Sequence, residues 1–418
     1  MKFVKMSLVA AMVMGASAFA IDNVKVSGDA KLFYSTTDAD YLDGDGNTQS
    51  GLFDQGASAA DTALRIGVTG DLLQGVSFGV TGYAVSTLGL ENNLVANTWT
   101  GAHANGNGTP EASDTNDAAW MGELWLAGTM GNTTLKAGRM ELDTPFAFSE
   151  KWSIVPNTFE GAVLLNQDLP DTTLVAAWIG KGNGVNAVTQ NVADVGLDLF
   201  LAPKAEFGTF ADSGAYAVGA INNSFKPLTA QAWYYNVSNV ADAYWLQADI
   251  DCQLVKGVKI GAQYGEMDTK GLLATENDSS AYAFKLAYEG IEGLTVSGAY
   301  SKADSDGGVL KIANVGTDNQ AYAQSKLYTE AWWNYGLVGE AGSESYNVTA
   351  LYEVGDIVSL GAFYTSVDNN TKDYTMDEIT LSATKSFGPL GVSLVYINAD
   401  YKEAEATNTV QAYLTLSF

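Results

Sequence analysis

The sequence is poor in cysteine, histidine and basic residues and lacks one kind of segment, and each absence narrows the class of protein. A single cysteine, Cys252, leaves no partner for an internal disulfide bond. No continuously apolar stretch of about 18 residues follows the first twenty, so a transmembrane helix is not expected. Basic residues number 21 against 48 acids, for a formal net charge of −27. Such a chain repels phosphates, which argues against nucleic-acid binding.

Histidine is as scarce as cysteine, and this bears on enzyme chemistry. The only histidine, His103, lies in a stretch rich in glycine and asparagine. A hydrolase of the Ser–His type needs a serine beside its histidine, and nothing in the neighbouring sequence supplies that arrangement. We therefore expect His103 to be a solvated loop residue, and we predict no enzymatic activity.

The first twenty residues have the pattern of a secretory signal peptide. Lys2 and Lys5 precede an apolar run of about ten residues, which is too short to cross a bilayer of about 30 Å. Ala18-Phe19-Ala20 is a small-x-small cleavage sequence. The sequence thus predicts a signal peptide at 1–20 and one mature domain at 21–418, with a formal charge of about −29 after cleavage.

Apolar and polar residues alternate through most of the mature chain. In Val258–Tyr264, for example, the even-numbered residues are apolar or small, whereas Lys259 and Gln263 lie between them. A period of two is typical of β-strands, whose successive side chains leave opposite faces. If the apolar face contacts lipid, the opposite face carries a set of charged residues into an aqueous lumen, namely Lys31, Arg65, Glu123, Asp249, Asp251, Lys259 and Lys285.

Eight short turns alternate with nine longer polar segments along the chain. This arrangement predicts about 18 antiparallel strands, with both chain ends on the short-turn side, as in outer-membrane barrels. A soluble β-sandwich could show the same alternation. Closure is favoured because backbone groups in hydrocarbon must all be paired, and about 18 strands leave a water-filled lumen. The predicted fold class is an all-β transmembrane antiparallel β-barrel in the bacterial outer membrane.

Two further patterns agree with a barrel. A weak repeat after several short turns places Tyr83, Tyr264, Tyr300 and Tyr364 near the far end of their strands, as in an aromatic belt at the membrane interface. At the carboxyl end, Val410, Ala412, Leu414 and Leu416 alternate up to the terminal Phe418. This ending resembles the signal that barrel-assembly machinery recognises.

The run from Lys136 to Lys181, KAGRMELDTPFAFSEKWSIVPNTFEGAVLLNQDLPDTTLVAAWIGK, resembles the OprD-like porins, especially the major outer-membrane porins of epsilonproteobacteria. The resemblance implies an 18-stranded barrel, a homotrimer, and a third loop that folds inward and narrows the pore. By position, that loop runs from about Asp143 to Glu160 and forms the candidate constriction, with charges at Asp143, Glu150, Lys151 and Glu160.

Substrate-specific members of that family line the pore with a row of arginines, whereas this chain has only Arg65 and Arg139. That difference argues against a specific carboxylate channel. Strict alternation places Arg139 on the face of Leu135 and Ala137, away from the lumen, unless Gly138 marks a β-bulge.

A short acidic segment resembles the start of a calcium-binding loop. Asp43, Asp45 and Asn47 alternate with glycines, as the oxygen ligands of an EF-hand do. The sixth position is Thr48 instead of glycine, and the twelfth is Asp54 instead of glutamate. The pattern is weak and allows loosely bound calcium, whereas the simpler interpretation is an ordinary acidic external loop; no other cofactor is predicted.

The sequence as a whole predicts a porin for passive diffusion of small hydrophilic solutes and ions, with weak cation selectivity. The alternatives are a substrate-selective channel and a non-conducting structural or adhesive surface barrel. The expected partners are outer-membrane lipid, lipopolysaccharide, the barrel-assembly machinery at Phe418, and two further copies of the chain.

Overall fold

A computed structural model describes residues 21–39, 41–42, 48–49, 51–98, 117–151, 154–183, 207–209, 213–316, 323–402 and 404–418. Within these ranges almost every regular element is a β-strand, and the helical elements are single 3₁₀ turns of three residues. No helix in this part of the chain is long and apolar enough to cross a membrane.

Eighteen long strands form one antiparallel sheet, together with the two-residue segment Gly208–Thr209. Each strand pairs with the next along the chain, and the first pairs with the last, so the sheet closes. This confirms the predicted 18-stranded barrel. The strands are β1 (Asp22–Thr37), β2 (Ser58–Leu73), β3 (Val76–Ser86), β4 (Ala118–Met130), β5 (Thr133–Met140), β6 (Phe159–Asn166), β7 (Thr172–Gly182), β8 (Ala215–Asn222), β9 (Leu228–Val237), β10 (Ala241–Asp251), β11 (Val258–Thr269), β12 (Ser279–Ile291), β13 (Leu294–Ala303), β14 (Ser343–Val354), β15 (Val358–Asn369), β16 (Tyr374–Phe387), β17 (Leu390–Tyr401) and β18 (Thr407–Ser417).

The two faces of the wall follow the alternation in the sequence. Ile260 on β11 lies opposite Ile250 on β10 and Leu286 on β12, and all three side chains are exposed on the outer face. Gln247 and Gln263 lie opposite each other on the inner face and are hydrogen bonded at 3.1 Å. Because directly paired residues share a face, one register places the whole apolar row toward lipid.

The short turns use glycine where the backbone requires it. Gly75, between β2 and β3, has φ of +77°, which an L side chain rarely adopts. A Cβ at this position would also lie 2.7 Å from the Thr129 carbonyl oxygen of β4. A tight turn and a close neighbouring strand therefore both demand glycine here.

The barrel closes at the carboxyl terminus. The Phe418 amide donates to the Gly28 carbonyl at 3.0 Å, and the Gly28 amide donates to the Phe418 carbonyl at 2.8 Å. The Phe418 ring lies over Gly28, where a Cβ would come within 2.7 Å of it. The last residue thus extends the ladder between β1 and β18 by one further pair.

The aromatic belt was predicted correctly at Tyr264 and Tyr364, which are exposed on the outer face, and wrongly at Tyr83. The hydroxyl of Tyr83 points into the lumen, 3.4 Å from Glu141. Tyr264 and Tyr364 are the sixth residue after the first residue of their strands, whereas Tyr83 is the seventh. Because successive side chains of a strand point to opposite faces, one added residue moves the tyrosine from the outer face to the inner face.

The register makes a direct prediction about labelling. Single cysteines replacing Ile260 or Leu246, in a Cys252→Ser background, should react with membrane-soluble thiol reagents. Cysteines replacing Lys259 or Gln247 should react with water-soluble reagents, because these side chains face the aqueous lumen. Equal labelling of both pairs by the water-soluble reagent would contradict the register.

Candidate functional site: the pore constriction

The loop between β5 and β6 folds into the barrel, as the resemblance implied. Its residues 141–151 and 154–158 are mostly buried, and Phe146 reaches the wall at β9 and β10. The Phe146 ring makes edge-on contacts with Trp245 and Tyr235, with centroids 5.4 Å and 5.6 Å away. This first inward loop therefore extends inside the lumen from β5 and β6 to β9 and β10.

A second loop, between β13 and β14, also folds inward and joins the first. Here Asn314 exchanges hydrogen bonds with both backbone groups of Phe148, at 3.2 Å and 2.8 Å. Close by, the Val315 amide donates to the Phe146 carbonyl at 2.9 Å. The described residues 304–316 and 323–342 of this second inward loop thus form one constriction with the first loop.

The wall holds the second inward loop through polar side chains of β10 and β11. Gln263 donates to the Lys326 carbonyl at 2.8 Å and accepts from the Tyr328 amide at 3.0 Å. The Tyr328 hydroxyl donates to Asp249 at 2.7 Å. Asp249, predicted from parity to line the lumen, thereby binds a loop as well.

A cavity of about 540 Å³ remains at the level of the two loops. It is lined by polar, charged and aromatic side chains, including Lys151, Tyr328, Glu330, Trp332, Trp333 and Phe363. Small solutes that pass the constriction therefore meet one cationic group and several flat apolar faces.

A basic cluster lies on the β1–β2 side of the lumen. Arg65 binds Asp29 at 2.5 Å and Glu141 at 3.4 Å, and Lys151 binds Glu141 at 3.3 Å. Lys31 is on the same inner face of β1 and interacts electrostatically with Arg65. Three cations against two carboxylates leave this side slightly positive.

The other predicted lumen charges lie on the inner face at different heights. Lys285 is 3.7 Å from Asp249 at the constriction, and Glu123 accepts a hydrogen bond from Thr81 at 3.1 Å. Lys259 lies opposite Asp251 near the short-turn rim, where it binds Glu289 at 2.9 Å. Lys259 and Asp251 are therefore at the pore mouth, away from the narrowest part of the pore.

The acids of the first inward loop differ in what they can do. Asp143 is exposed and binds Lys326 of the second loop at 2.7 Å. Glu150 is 4% exposed and accepts from Asn314 at 2.9 Å and from the Gln324 amide at 3.0 Å. Asp143 can act on permeating ions, whereas Glu150 holds the two loops together.

One carboxyl in the second inward loop has an unusual proton affinity. Glu330 lines the cavity and is otherwise enclosed by protein. This desolvation, followed by repulsion from Glu150, raises the pKa of Glu330 to about 8, although Lys326 acts in the opposite direction. At neutral pH the group is mostly protonated and adds little negative charge to the pore.

Glu160 was expected in the constriction, and the structure places it on the outer face of β6 instead. It pairs in register with Arg139, which lies opposite the outward Leu124 of β4. Alternation continues through Gly138, so Arg139 also faces outward. The inward loop ends one residue before β6 begins at Phe159, and the sequence marks no such boundary.

Arg139 lies on the outer face of the wall, where the short strand β5 ends and the short strand β6 begins. Its guanidinium binds Glu160 at 2.6 Å, donates to the Met121 carbonyl, and lies 3.6 Å from the Phe207 ring centroid. The pairing of β4 with β5 stops at Leu124, so the Met121 carbonyl has no strand partner on that side. Arg139 supplies the missing donor.

Replacing Arg139 with leucine should lower the stability of the folded barrel. The change leaves Glu160 without its cationic partner on the outer face. The free energy of unfolding should fall by about 2–4 kcal/mol, which is less than for a fully buried pair because both side chains keep some exposure. The midpoint of urea unfolding in detergent measures the loss. The double variant Arg139→Leu with Glu160→Leu should regain part of it, and equal losses in both variants would contradict a role for the ion pair.

Two other features identified in the sequence lie outside the described residues. They are the acidic segment with Asp43, Asp45 and Asn47, and His103. Among the residues that are described, no group of three or more histidine, cysteine or acidic side chains is arranged to hold a metal ion.

A closed barrel of 18 strands, with two loops folded inward around a polar cavity, defines the class of outer-membrane porins. A family model described as outer membrane porin, OprD family, matches residues 20–336. The chain therefore belongs to the OprD family of outer membrane porins. The comparison with curated proteins gives no match.

Solved porins of Pseudomonas aeruginosa share the fold. OccK3 (OpdO) matches with a TM-score of 0.70 and 14% identity, over 95% of this chain and 96% of that one. OccK9 (OpdG) matches with a TM-score of 0.71 and 15% identity, over 95% and 99%. OpdK, whose structure includes vanillate, gives 0.69 and 13%, over 95% and 98%.

Proposed function

We propose that this porin carries small hydrophilic solutes and ions across the outer membrane by passive diffusion, without enzyme chemistry. The observation that supports the proposal is the cavity of about 540 Å³ between the inward loops and the wall. Its lining combines charged and polar groups, which keep a pore wet. No side chain in it is arranged for covalent chemistry in the part of the chain that the structure describes.

Weak cation selectivity is the second part of the proposal. At the constriction, Asp143 is balanced by Lys326, and the basic cluster around Arg65 carries one positive charge more than its two carboxylates. Because acidic and basic side chains nearly balance at the constriction, the selectivity between cations and anions should be weak. The excess of acids over bases in the chain enriches cations at the pore mouths and favours cation entry, although salt screens charges beyond about 8 Å.

The Asp143–Lys326 pair offers a matched test of selectivity. Asp143→Asn leaves Lys326 unpaired in the pore and should move the reversal potential in a salt gradient toward the anion side, by about 5–10 mV. Lys326→Gln should move it by a similar amount toward the cation side. Planar-bilayer recording measures both, and shifts of the same sign would contradict control by this pair.

Liposome swelling tests the general function. Vesicles that contain the purified protein should swell in neutral sugars at rates that fall steadily with sugar size, as expected for a sieve. Absence of swelling in every solute would leave the non-conducting structural barrel as the better explanation.

A substrate-selective channel is the second candidate, and the lining of the cavity favours it. Lys151 shares the cavity with Tyr328, Trp332 and Trp333, so a flat ring with an acidic group would meet both a cation and aromatic faces. OpdK, which shares the fold, has been solved with vanillate. Saturable uptake of such a compound, lost in Lys151→Gln, would support selectivity over simple sieving.

The remaining parts of the proposal concern processing and partners. We infer cleavage after Ala20, assembly through Phe418, contact with lipopolysaccharide, a homotrimer, and loose calcium binding at Asp43, Asp45 and Asn47. Closeness to the epsilonproteobacterial porins rests on the run from Lys136 to Lys181. Mass determination of the native outer-membrane protein, before and after denaturation, tests both the cleavage and the trimer.

A further inference from the structure

A buried carboxylate on the wall binds three consecutive backbone amides of the second inward loop. Glu378 of β16 is 2% exposed. Its Oε1 accepts from the amides of Trp332 and Trp333 at 2.8 Å and 3.1 Å, and its Oε2 accepts from the amides of Trp333 and Asn334 at 3.2 Å and 2.8 Å. The Asn334 side-chain amide adds a donor to Oε2 at 2.8 Å.

This geometry requires a carboxylate. Successive N–H groups that point into one concavity form an anion-binding site, and a carboxylate offers acceptor positions on both oxygens. A glutamine in the same place would offer one acceptor oxygen, and its NH₂ group would face a donor. A buried donor left without an acceptor is costly, so the turn would not keep this position.

The turn held by Glu378 carries the tryptophans that line the cavity. Trp332 contacts Phe363 of β15, with ring centroids 5.1 Å apart, and both Trp332 and Trp333 border the cavity opposite the first inward loop. Movement of the turn would therefore move two large side chains within the permeation path. The wall contacts at Asp249 and Gln263 hold an earlier part of the loop. The turn itself is held by Glu378, which binds its backbone, and by the Tyr401 hydroxyl, which donates to the Asn334 side-chain oxygen at 2.8 Å.

We propose that Glu378 is a positioning residue for permeation: by binding the amides of residues 332–334, it fixes the tryptophan pair and thereby the width of the pore. The proposal rests on the proposed diffusion function. Glu378 itself does not contact the solute, since its carboxylate is buried beneath the turn.

The test is single-channel recording of Glu378→Gln. The steady current level of the wild type should be replaced by switching between levels that differ by roughly twofold, because the turn is no longer held in one place. Glu378→Asp should switch less often than Glu378→Gln, because it keeps a carboxylate on a side chain that is one methylene shorter. Asp377→Asn, at the preceding residue and on the outer face, should keep the steady level.

A disulfide gives an independent rescue. Ser301 of β13 and Thr329 of the second inward loop have hydroxyl oxygens 2.5 Å apart. The variant to test is Glu378→Gln in a Cys252→Ser background, with Ser301→Cys and Thr329→Cys added. Oxidation should form the disulfide and restore the steady current level, and a reductant should bring the switching back.

Three outcomes would overturn the role of Glu378. These are a steady level in both Glu378 variants, equal switching in the Asp377→Asn control, and failure of an oxidised disulfide to suppress the switching. A wild type that does not conduct at all would instead remove the proposed function, so the two failures are distinguishable.

Discussion

Replacing both Trp332 and Trp333 with alanine should raise the single-channel conductance by roughly two- to threefold. The two indoles border the narrow cavity of the pore, so their removal widens the path directly. The loop itself should stay in place, because Glu378 binds backbone amides that the alanines retain. Planar-bilayer recording in symmetric salt measures the effect.

A matched control is available on the outer face of the barrel. Trp178 of β7 is exposed toward lipid, and Trp178→Ala should leave the conductance unchanged. An unchanged conductance in the double alanine variant would mean that the narrowest part of the pore lies elsewhere. A similar increase in Trp178→Ala would point to general loosening of the barrel.

Deleting Phe418 should lower the amount of assembled barrel in the outer membrane on the order of tenfold, since an incomplete seam leaves backbone groups unpaired in hydrocarbon. The deletion removes two backbone hydrogen bonds to Gly28 and the ring that covers it. It also removes the terminal aromatic residue that we expect the assembly machinery to recognise. The heat-modifiable folded band in outer-membrane fractions measures assembly.

Phe387 provides the control for this deletion. It is an exposed aromatic residue at the end of β16, and it takes no part in closing the barrel. Phe387→Ala should assemble nearly as well as the wild type. Normal assembly without Phe418 would contradict both the closing role and the recognition role of the terminal residue.

The sequence predicts the wall of the barrel well because the wall is governed by a local rule. A period of two sorts side chains between lipid and water at every position, so strand number and the inward placement of Arg65, Glu123 and Lys285 follow from neighbouring residues alone. The repeat placed Tyr83 wrongly although this rule held there, because Tyr83 is one residue further from the start of its strand than Tyr264 and Tyr364 are from theirs.

The constriction is less predictable because it depends on contacts between distant segments. Asn314 binds Phe148 and Glu150, which lie more than 160 residues earlier in the chain. No periodicity signals such a contact. The adjacent tryptophans Trp332 and Trp333, in what reads as a long polar external loop, are the one local feature that could have indicated an inward fold.

Single-channel recording of the purified wild-type protein in planar bilayers, with a salt gradient, tests the central claim most directly. We expect stepwise currents that are linear in voltage, with a reversal potential slightly displaced toward the cation side. Bilayers that contain folded protein and show no current steps would contradict the assignment of this barrel as a diffusion pore.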